Sequence, residues 1–214
     1  MLLRNNLVSL SQKRFKRAFD FSLSILGLFF LWWVILIAWL LASIDTKKNG
    51  FFLQERIGKH STRFKIIKIR TMLSSDFIST TVTSVDDARI TNLGKLFRKF
   101  KIDELPQLIN IFLGHMSFVG PRPDVPGFAD CLREDDQTIL SVRPGITGPA
   151  SIKYKDEELL LSKQSNPEEY NMKVIWPDKV KINKQYIEEY SFGGGLDEMD
   201  LETFIDNTTD SIDE

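Results

Sequence analysis

Histidine and cysteine are almost missing from this chain of 214 residues: His60, His115 and Cys131 are all it has. A single cysteine forbids an internal disulfide and fits a reducing compartment, so Cys131 is expected to be a small buried apolar residue. Two histidines far apart in sequence, with no ligands beside them, offer neither a zinc site nor a histidine base. Neither GxGxxG nor GxxxxGKS/T occurs, which leaves dinucleotide and P-loop chemistry without support. Basic residues also stop early. Ten of the 29 acids lie between Glu188 and Glu214, beyond the last base, Lys184, so the net charge of −1 hides a body of +9 over residues 1–184. Such a body suits anionic partners.

Charge is absent altogether from Phe21 to Ile44, a run of 24 residues bounded by Asp20 and Asp45. As a helix it would be about 36 Å long, enough for a bilayer core of about 30 Å, and it is too long for a signal-peptide core. Lys13, Arg14, Lys16 and Arg17 precede it, and Lys47, Lys48, Arg56 and Lys59 follow. Both flanks therefore carry the charge that prefers the cytoplasmic side, which a simple crossing satisfies only once. A helix that enters, bends and returns satisfies both. The run has no proline to bend it; Ser22, Ser24, Gly27 and Trp32-Trp33 are its irregularities.

The chemistry concentrates between Arg89 and Pro123. Arg89, Lys95, Arg98, Lys99 and Lys101 lead into two adjacent acids, Asp103 and Glu104. Leu93, Leu96, Phe97 and Phe100 before them, and Leu105, Leu108, Ile109 and Phe112 after, fall at helical spacing and predict two amphipathic helices. Asp103 is expected at the N-cap of the second, with Pro106 in its first turn and Gly114 as its stop. A helix start favours an ionised carboxylate and attracts phosphate. Taken alone, an Asp-Glu pair at a helix start is an ordinary structural cap. Arg122, held between Pro121 and Pro123, and Arg143, beside the glycines of residues 145–148, carry forks that suit phosphate, and those glycines offer N–H groups that an anion would use.

Elsewhere Phe51 to Ile57 and Phe64 to Met72, separated by Gly58 to Ser61, predict a hairpin, with Lys65, Lys68 and Arg70 among its apolar residues. Residues 73–88 read as a loop, and 124–141, 156–164 and 178–190 as helices. Asn166-Pro167-Glu168-Glu169 reads as the start of a short one. Asp86-Asp87 and Asp135-Asp136 resemble metal-binding pairs without supporting context.

Five stretches together resemble one family. They are Phe15 to Asp20, Lys68 to Met72, Asp103 to Gln107, Met116 to Pro123 and Arg143 to Gly148. In this order they are similar to the bacterial sugar transferases known as monotopic phosphoglycosyl transferases, over about residues 13–192. The resemblance implies a membrane enzyme that moves a sugar-1-phosphate from a UDP-sugar onto a polyprenol phosphate and releases UMP. It implies Asp103 as the nucleophile that carries a phosphosugar, Glu104 as its partner, and Mg²⁺ held by Asp103 and Glu104. Arg98 and Arg122 would lie near the diphosphate, helped by Lys68, Arg70 and Arg143. Partners expected are a UDP-sugar, polyprenol phosphate and membrane lipid, with no nucleic acid and a homodimer left open. The implied location is the bacterial inner membrane, catalytic domain toward the cytoplasm.

Three departures stand out. Trp32-Trp33 occupies the place where members commonly carry a Ser-Pro break, Pro149 to Lys155 replaces a stretch that often holds a tryptophan and an arginine, and glycine then acid follows Phe192. The resulting expectation is an α+β fold, mostly helical. Residues 1–48 form a membrane-embedded segment, re-entrant through a helix-break-helix or else spanning; 49–192 form a compact cytosolic catalytic domain with a small β-hairpin; 193–214 form an acidic, mobile tail. The rival readings are a membrane-tethered scaffold or inactive relative, and a metal-dependent glycosyltransferase using Asp135-Asp136.

Overall fold

The computed structural model describes residues 10–73, 87–133 and 135–189. Its first element, α1 (Leu10–Thr46), is helical at every residue, through Gly27 and Trp32-Trp33. No break of the expected kind interrupts it, because no proline removes a backbone donor. Among the described residues it is the one helix long and apolar enough to cross a membrane.

α1 has two faces. Asp20, Ser24, Ile35, Ala38, Ala42 and Thr46 are buried, whereas Phe29, Phe30, Trp32, Trp33, Leu40 and Ile44 are exposed. The buried face packs on the rest of the chain along its length: Gly27 leaves room for Leu108, and Ala38 and Ala42 join Ile69 and Phe97 in one core cluster. At its far end the Ser43 hydroxyl accepts the Gly50 N–H at 2.8 Å, and Trp39 Nε1 donates to Asn49 Oδ1 at 3.2 Å, so the chain folds straight back.

The hairpin forms as expected: β1 (Phe51–Ile57) pairs antiparallel with β2 (Arg63–Ile69), Phe51 opposite Ile69. The bend between them uses His60 and Ser61 in the left-handed region. Phe64 and Ile66 of β2 pack on Ile111 and Met116.

Helix α2 (Asn92–Lys99) starts at Thr91, whose hydroxyl accepts the Gly94 N–H at 2.9 Å. Its apolar face is rotated from the expected one. Phe97 is buried, but Leu96 and Phe100 are exposed, because α2 meets the Thr71 backbone through Gly94, where a Cβ would lie 2.2 Å from the Thr71 carbonyl. Lys101, left-handed at φ 55°, then ends the helix and throws the chain into a 3₁₀ turn, Ile102–Glu104. Helix α3 (Gln107–Phe112) follows, and Gly114, at φ 84°, closes it as expected.

β3 (Ser117–Val119) pairs in parallel with β4 (Gly145–Thr147). Gly120, Gly145 and Gly148 meet backbone to backbone between them: a Cβ on Gly145 would lie 2.3 Å from the Gly120 nitrogen. The Gly145 N–H, expected to face an anion, donates instead to the Pro121 carbonyl at 2.8 Å. Where a helix was expected over 124–141, the described residues form two 3₁₀ segments, Ala129–Cys131 and Asp136–Ser141, preceded by Gly127 at φ 97°. Cys131 is exposed there rather than buried.

The last described residues form helices α4 (Pro149–Lys153), α5 (Glu157–Ser162), α6 (Pro167–Tyr170) and α7 (Trp176–Glu189), the last two joined by a π turn, Asn171–Ile175. The Asn166 side chain caps α6 through the Glu169 N–H at 3.2 Å, as its spacing predicts. Val180 of α7 joins Ile57, Ala129 and Ile139 in a third core cluster, while Tyr190, Asp86 and the acidic tail lie outside the described residues.

Candidate active site

The two acids stand on the 3₁₀ turn between α2 and α3, and both are buried. Asp103 is not an N-cap. The left-handed Lys101 closes its own turn first, through Glu104 N–H to Lys101 and Leu105 N–H to Ile102, each at 3.2 Å, and Pro106 holds the cap position of α3 without a side-chain bond. Asp103 therefore gains no helix-start donors, and its Oδ1 is buried with no hydrogen-bond partner. A buried polar atom left unpaired costs about 1–3 kcal/mol. Burial, and then the neighbouring Glu104, push its carboxyl above the ordinary value, with Lys68, Arg98 and Lys101 opposing. This reverses the depressed value that a helix start would give.

Glu104 is the opposite case. Its Oε1 accepts from Lys68 Nζ at 3.2 Å and from an Arg122 Nη. Burial alone would raise it, but the Arg122 guanidinium and then Lys68 hold it at about 2. Burial and then Arg122 bring Lys68 down to about 8, against the pull of Glu104 and Asp103. Sites 36 and 18 residues away from Glu104 thus meet on one oxygen, Lys68 from β2 and Arg122 from the turn after β3.

Arg98 reaches the edge of this cluster. Its Nε donates to Thr71 Oγ1 at 3.1 Å, and one Nη to Glu158 of α5 at 3.0 Å. Two expected phosphate ligands are not brought to the pair. Arg70 donates to the carbonyls of Asn49 and Phe51, at 2.7 and 3.2 Å, clamping the exit of α1 to the hairpin. Arg143 donates to the Gly114 carbonyl at 2.8 Å, at the far end of α3.

Residues that the sequence did not single out surround Arg122. On β1, Arg56 donates to the Pro123 carbonyl at 3.1 Å and to Gln54 Oε1 at 2.6 Å, while its Nε is buried and unpaired. Asp124 is pushed up to about 6 by burial, with Lys179 and Arg56 opposing. Asp124 directly follows the Met116 to Pro123 stretch, and Arg56 stood out only as a basic flank of the apolar run. Of the pairs weighed as metal sites, Asp87 is spent on Arg89 and Asp136 on Lys184. Among the described residues no group of three His, Cys, Asp or Glu gathers for a metal ion. What a cation would find is the unpartnered Asp103 Oδ1 beside Glu104, a donor set that suits Mg²⁺ when phosphate oxygens complete it.

Lys68 and Arg122 meet on a buried acid pair, and a helix long and apolar enough to cross a membrane packs alongside. Sequence comparison gives the family. The model of the family described as bacterial sugar transferase matches residues 11–205, and the chain belongs to that family, as its five motifs predict. It is 32% identical over 177 residues to the uncharacterized sugar transferase EpsL of Bacillus subtilis, covering 83% of this chain and 79% of that one. It is 37% identical over 153 residues to the undecaprenyl-phosphate glucose phosphotransferase of Komagataeibacter xylinus, covering 68% of this chain. It is 34% identical over 166 residues to the undecaprenyl-phosphate galactose phosphotransferase of Salmonella typhimurium, covering 69% of this chain. The chain spans only 29% and 35% of the length of these last two.

Proposed function

We propose that this enzyme transfers a sugar-1-phosphate from a UDP-sugar to a polyprenol phosphate and releases UMP, opening the synthesis of a surface polysaccharide or other glycoconjugate. The observation that carries the reading is the asymmetry of the acid pair: Glu104 Oε1 takes both Lys68 and Arg122, and Asp103 Oδ1 has no partner. An unpartnered carboxylate oxygen among cations is what covalent phosphoryl transfer needs.

In the first step an Asp103 oxygen attacks the phosphorus bearing the sugar, the bond between the two phosphoryl groups breaks, and UMP leaves. In the second, a phosphate oxygen of the polyprenol attacks the same phosphorus and the Asp103 carboxylate is released. Lys68 and Arg122 offset charge on the equatorial oxygens, and Arg98 reaches the diphosphate by exchanging Glu158 for it. Mg²⁺ held by Asp103 and Glu104 would supply further neutralisation of the diphosphate. Asp103 reacts as its anion: burial and Glu104 raise its carboxyl, and Lys68, Arg98 and Lys101 oppose the rise.

The acceptor is a lipid, and α1 brings its membrane to the site. Both ends of α1 are fastened to the catalytic domain: Arg17 donates to the Ile111 and Phe112 carbonyls at 2.7 and 2.8 Å, and Ser43 holds Gly50. This favours a disposition in which both flanks and the domain share the cytoplasmic face while Phe29 to Trp33 and their exposed neighbours enter the bilayer. Cysteine labelling at Gln12 and Lys48 tests it: the same side is expected, and opposite sides would overturn it. For the reaction, purified protein with a panel of UDP-sugars, Mg²⁺ and polyprenol phosphate should release UMP, and Asp103→Asn should not. Release of UDP instead would mean a glycosyltransferase, and silence across the panel a scaffold.

A further inference from the structure

We infer that Lys16 and Asp20, on the first turns of α1, are positioning residues for Arg122, an inference that rests on the transfer reaction proposed above. Asp20 lies at the foot of the apolar run, yet it is only 2% exposed. One of its oxygens accepts the Phe118 N–H at 3.2 Å, and the other pairs with Lys16 Nζ at 3.6 Å. Lys16 also donates to the Ser117 hydroxyl and, at 3.2 Å, to the Val119 carbonyl. Every residue of β3 is thus held by this pair. A lysine that the sequence shows only as a flank of the apolar run is thus spent on β3.

β3 leads directly to Arg122, and the path between them has no slack. The Gly120 N–H is bound by the Thr147 carbonyl at 2.9 Å, and the Pro121 carbonyl by the Gly145 N–H at 2.8 Å. A Cβ on Gly120 would lie 2.5 Å from the Arg143 carbonyl. A shift of β3 is therefore passed to Arg122 and its contact with Glu104 rather than absorbed. The adjacent Arg17 holds the end of α3, the helix that begins just after the acids. One turn of the apolar helix so fixes the strand leading to the cation and the helix following the carboxylates. Neither Lys16 nor Asp20 belongs to the cluster around Glu104, and their effect on the reaction passes through β3.

The test uses the full chain in lipid nanodiscs, with two readouts. Amide hydrogen exchange across residues 117–122 should rise at least about tenfold in Asp20→Ala, with α5 unchanged, and Asp20→Asn, which keeps an acceptor for Phe118, should retain protection. In kinetics, Asp20→Ala should lower kcat/KM for the UDP-sugar on the order of 10²-fold in the wild-type background, the scale of a small misplacement, but less than about threefold in Arg122→Lys. Unchanged exchange across 117–122 would overturn the inference, as would equal losses in the two backgrounds. If Asp20→Ala does not fold, Lys16→Met is read the same way. Wild-type protein that releases no UMP while the exchange result holds would sink the transfer reaction and spare the positioning of Arg122.

Discussion

Asp20 and Asp103 are both buried aspartates beside basic residues, yet the protein treats them in opposite ways. Asp20 has a lysine on one oxygen and a backbone N–H on the other, and with them it ties α1 to β3. Asp103 keeps a buried oxygen with no partner, two residues after a left-handed Lys101. Satisfied acids hold a structure together, whereas an unsatisfied one stores cost at a place where a ligand can relieve it. Glu104, beside Asp103 but with two cations on its Oε1, is nearer to Asp20 in its bonding and to Asp103 in its location.

Substitutions at these carboxylates sharpen the contrast, in order of expected size. Asp103→Asn should abolish UMP release by a factor of about 10⁴ or more, the scale on which loss of a covalent nucleophile acts, while thermal unfolding changes little because no native bond is lost. A large fall in melting temperature with retained activity would place Asp103 with Asp20 as a structural acid. Glu104→Gln should cost both properties. It leaves Lys68 and Arg122 without their anion, so activity should fall on the order of 10²-fold, and the unfolding midpoint should drop, as happens when one partner of a buried pair is removed.

A third test is pH. Lys68 loses its proton near 8, so it is charged below that value and neutral above it. The rate should therefore fall as pH rises through about 8, and Lys68→Arg should carry this alkaline limb upward, since a guanidinium stays charged. An unmoved limb would remove Lys68 from the charge balance of the reaction. The smallest effect is expected at Arg143, whose Nε only closes the end of α3. Arg143→Gln should cost about 1 kcal/mol in denaturant unfolding and change kcat less than about threefold. A loss comparable to that of Glu104→Gln would bring Arg143 back to the phosphate.

Most of the elements were legible because their signals were local. Gly58 to Ser61 announced the hairpin, Asn166-Pro167 the start of α6, and Gly114 the end of α3. The acids were recognised as a pair, but their placement was not, because the left-handed Lys101 and the 3₁₀ turn after it are not written in any apolar spacing. The cations show the same boundary. Arg70, Arg122 and Arg143 were all expected at the phosphate. The turn after β3, held by its parallel pairing with β4, carries Arg122 to Glu104, while Arg70 and Arg143 serve main-chain carbonyls elsewhere. Lys16 and Asp20 were visible as the flank of an apolar run, and nothing local disclosed that they grip a strand about a hundred residues away.

The most direct measurement is a trapped first step. Wild-type protein is given a UDP-sugar and Mg²⁺ without polyprenol phosphate, quenched, digested and mapped by mass spectrometry. A phosphosugar should appear on the peptide that contains Asp103, be absent in Asp103→Asn, and disappear when polyprenol phosphate is added before the quench. A phosphosugar on any other residue, or stoichiometric UMP with no modified peptide, would contradict an attack by Asp103.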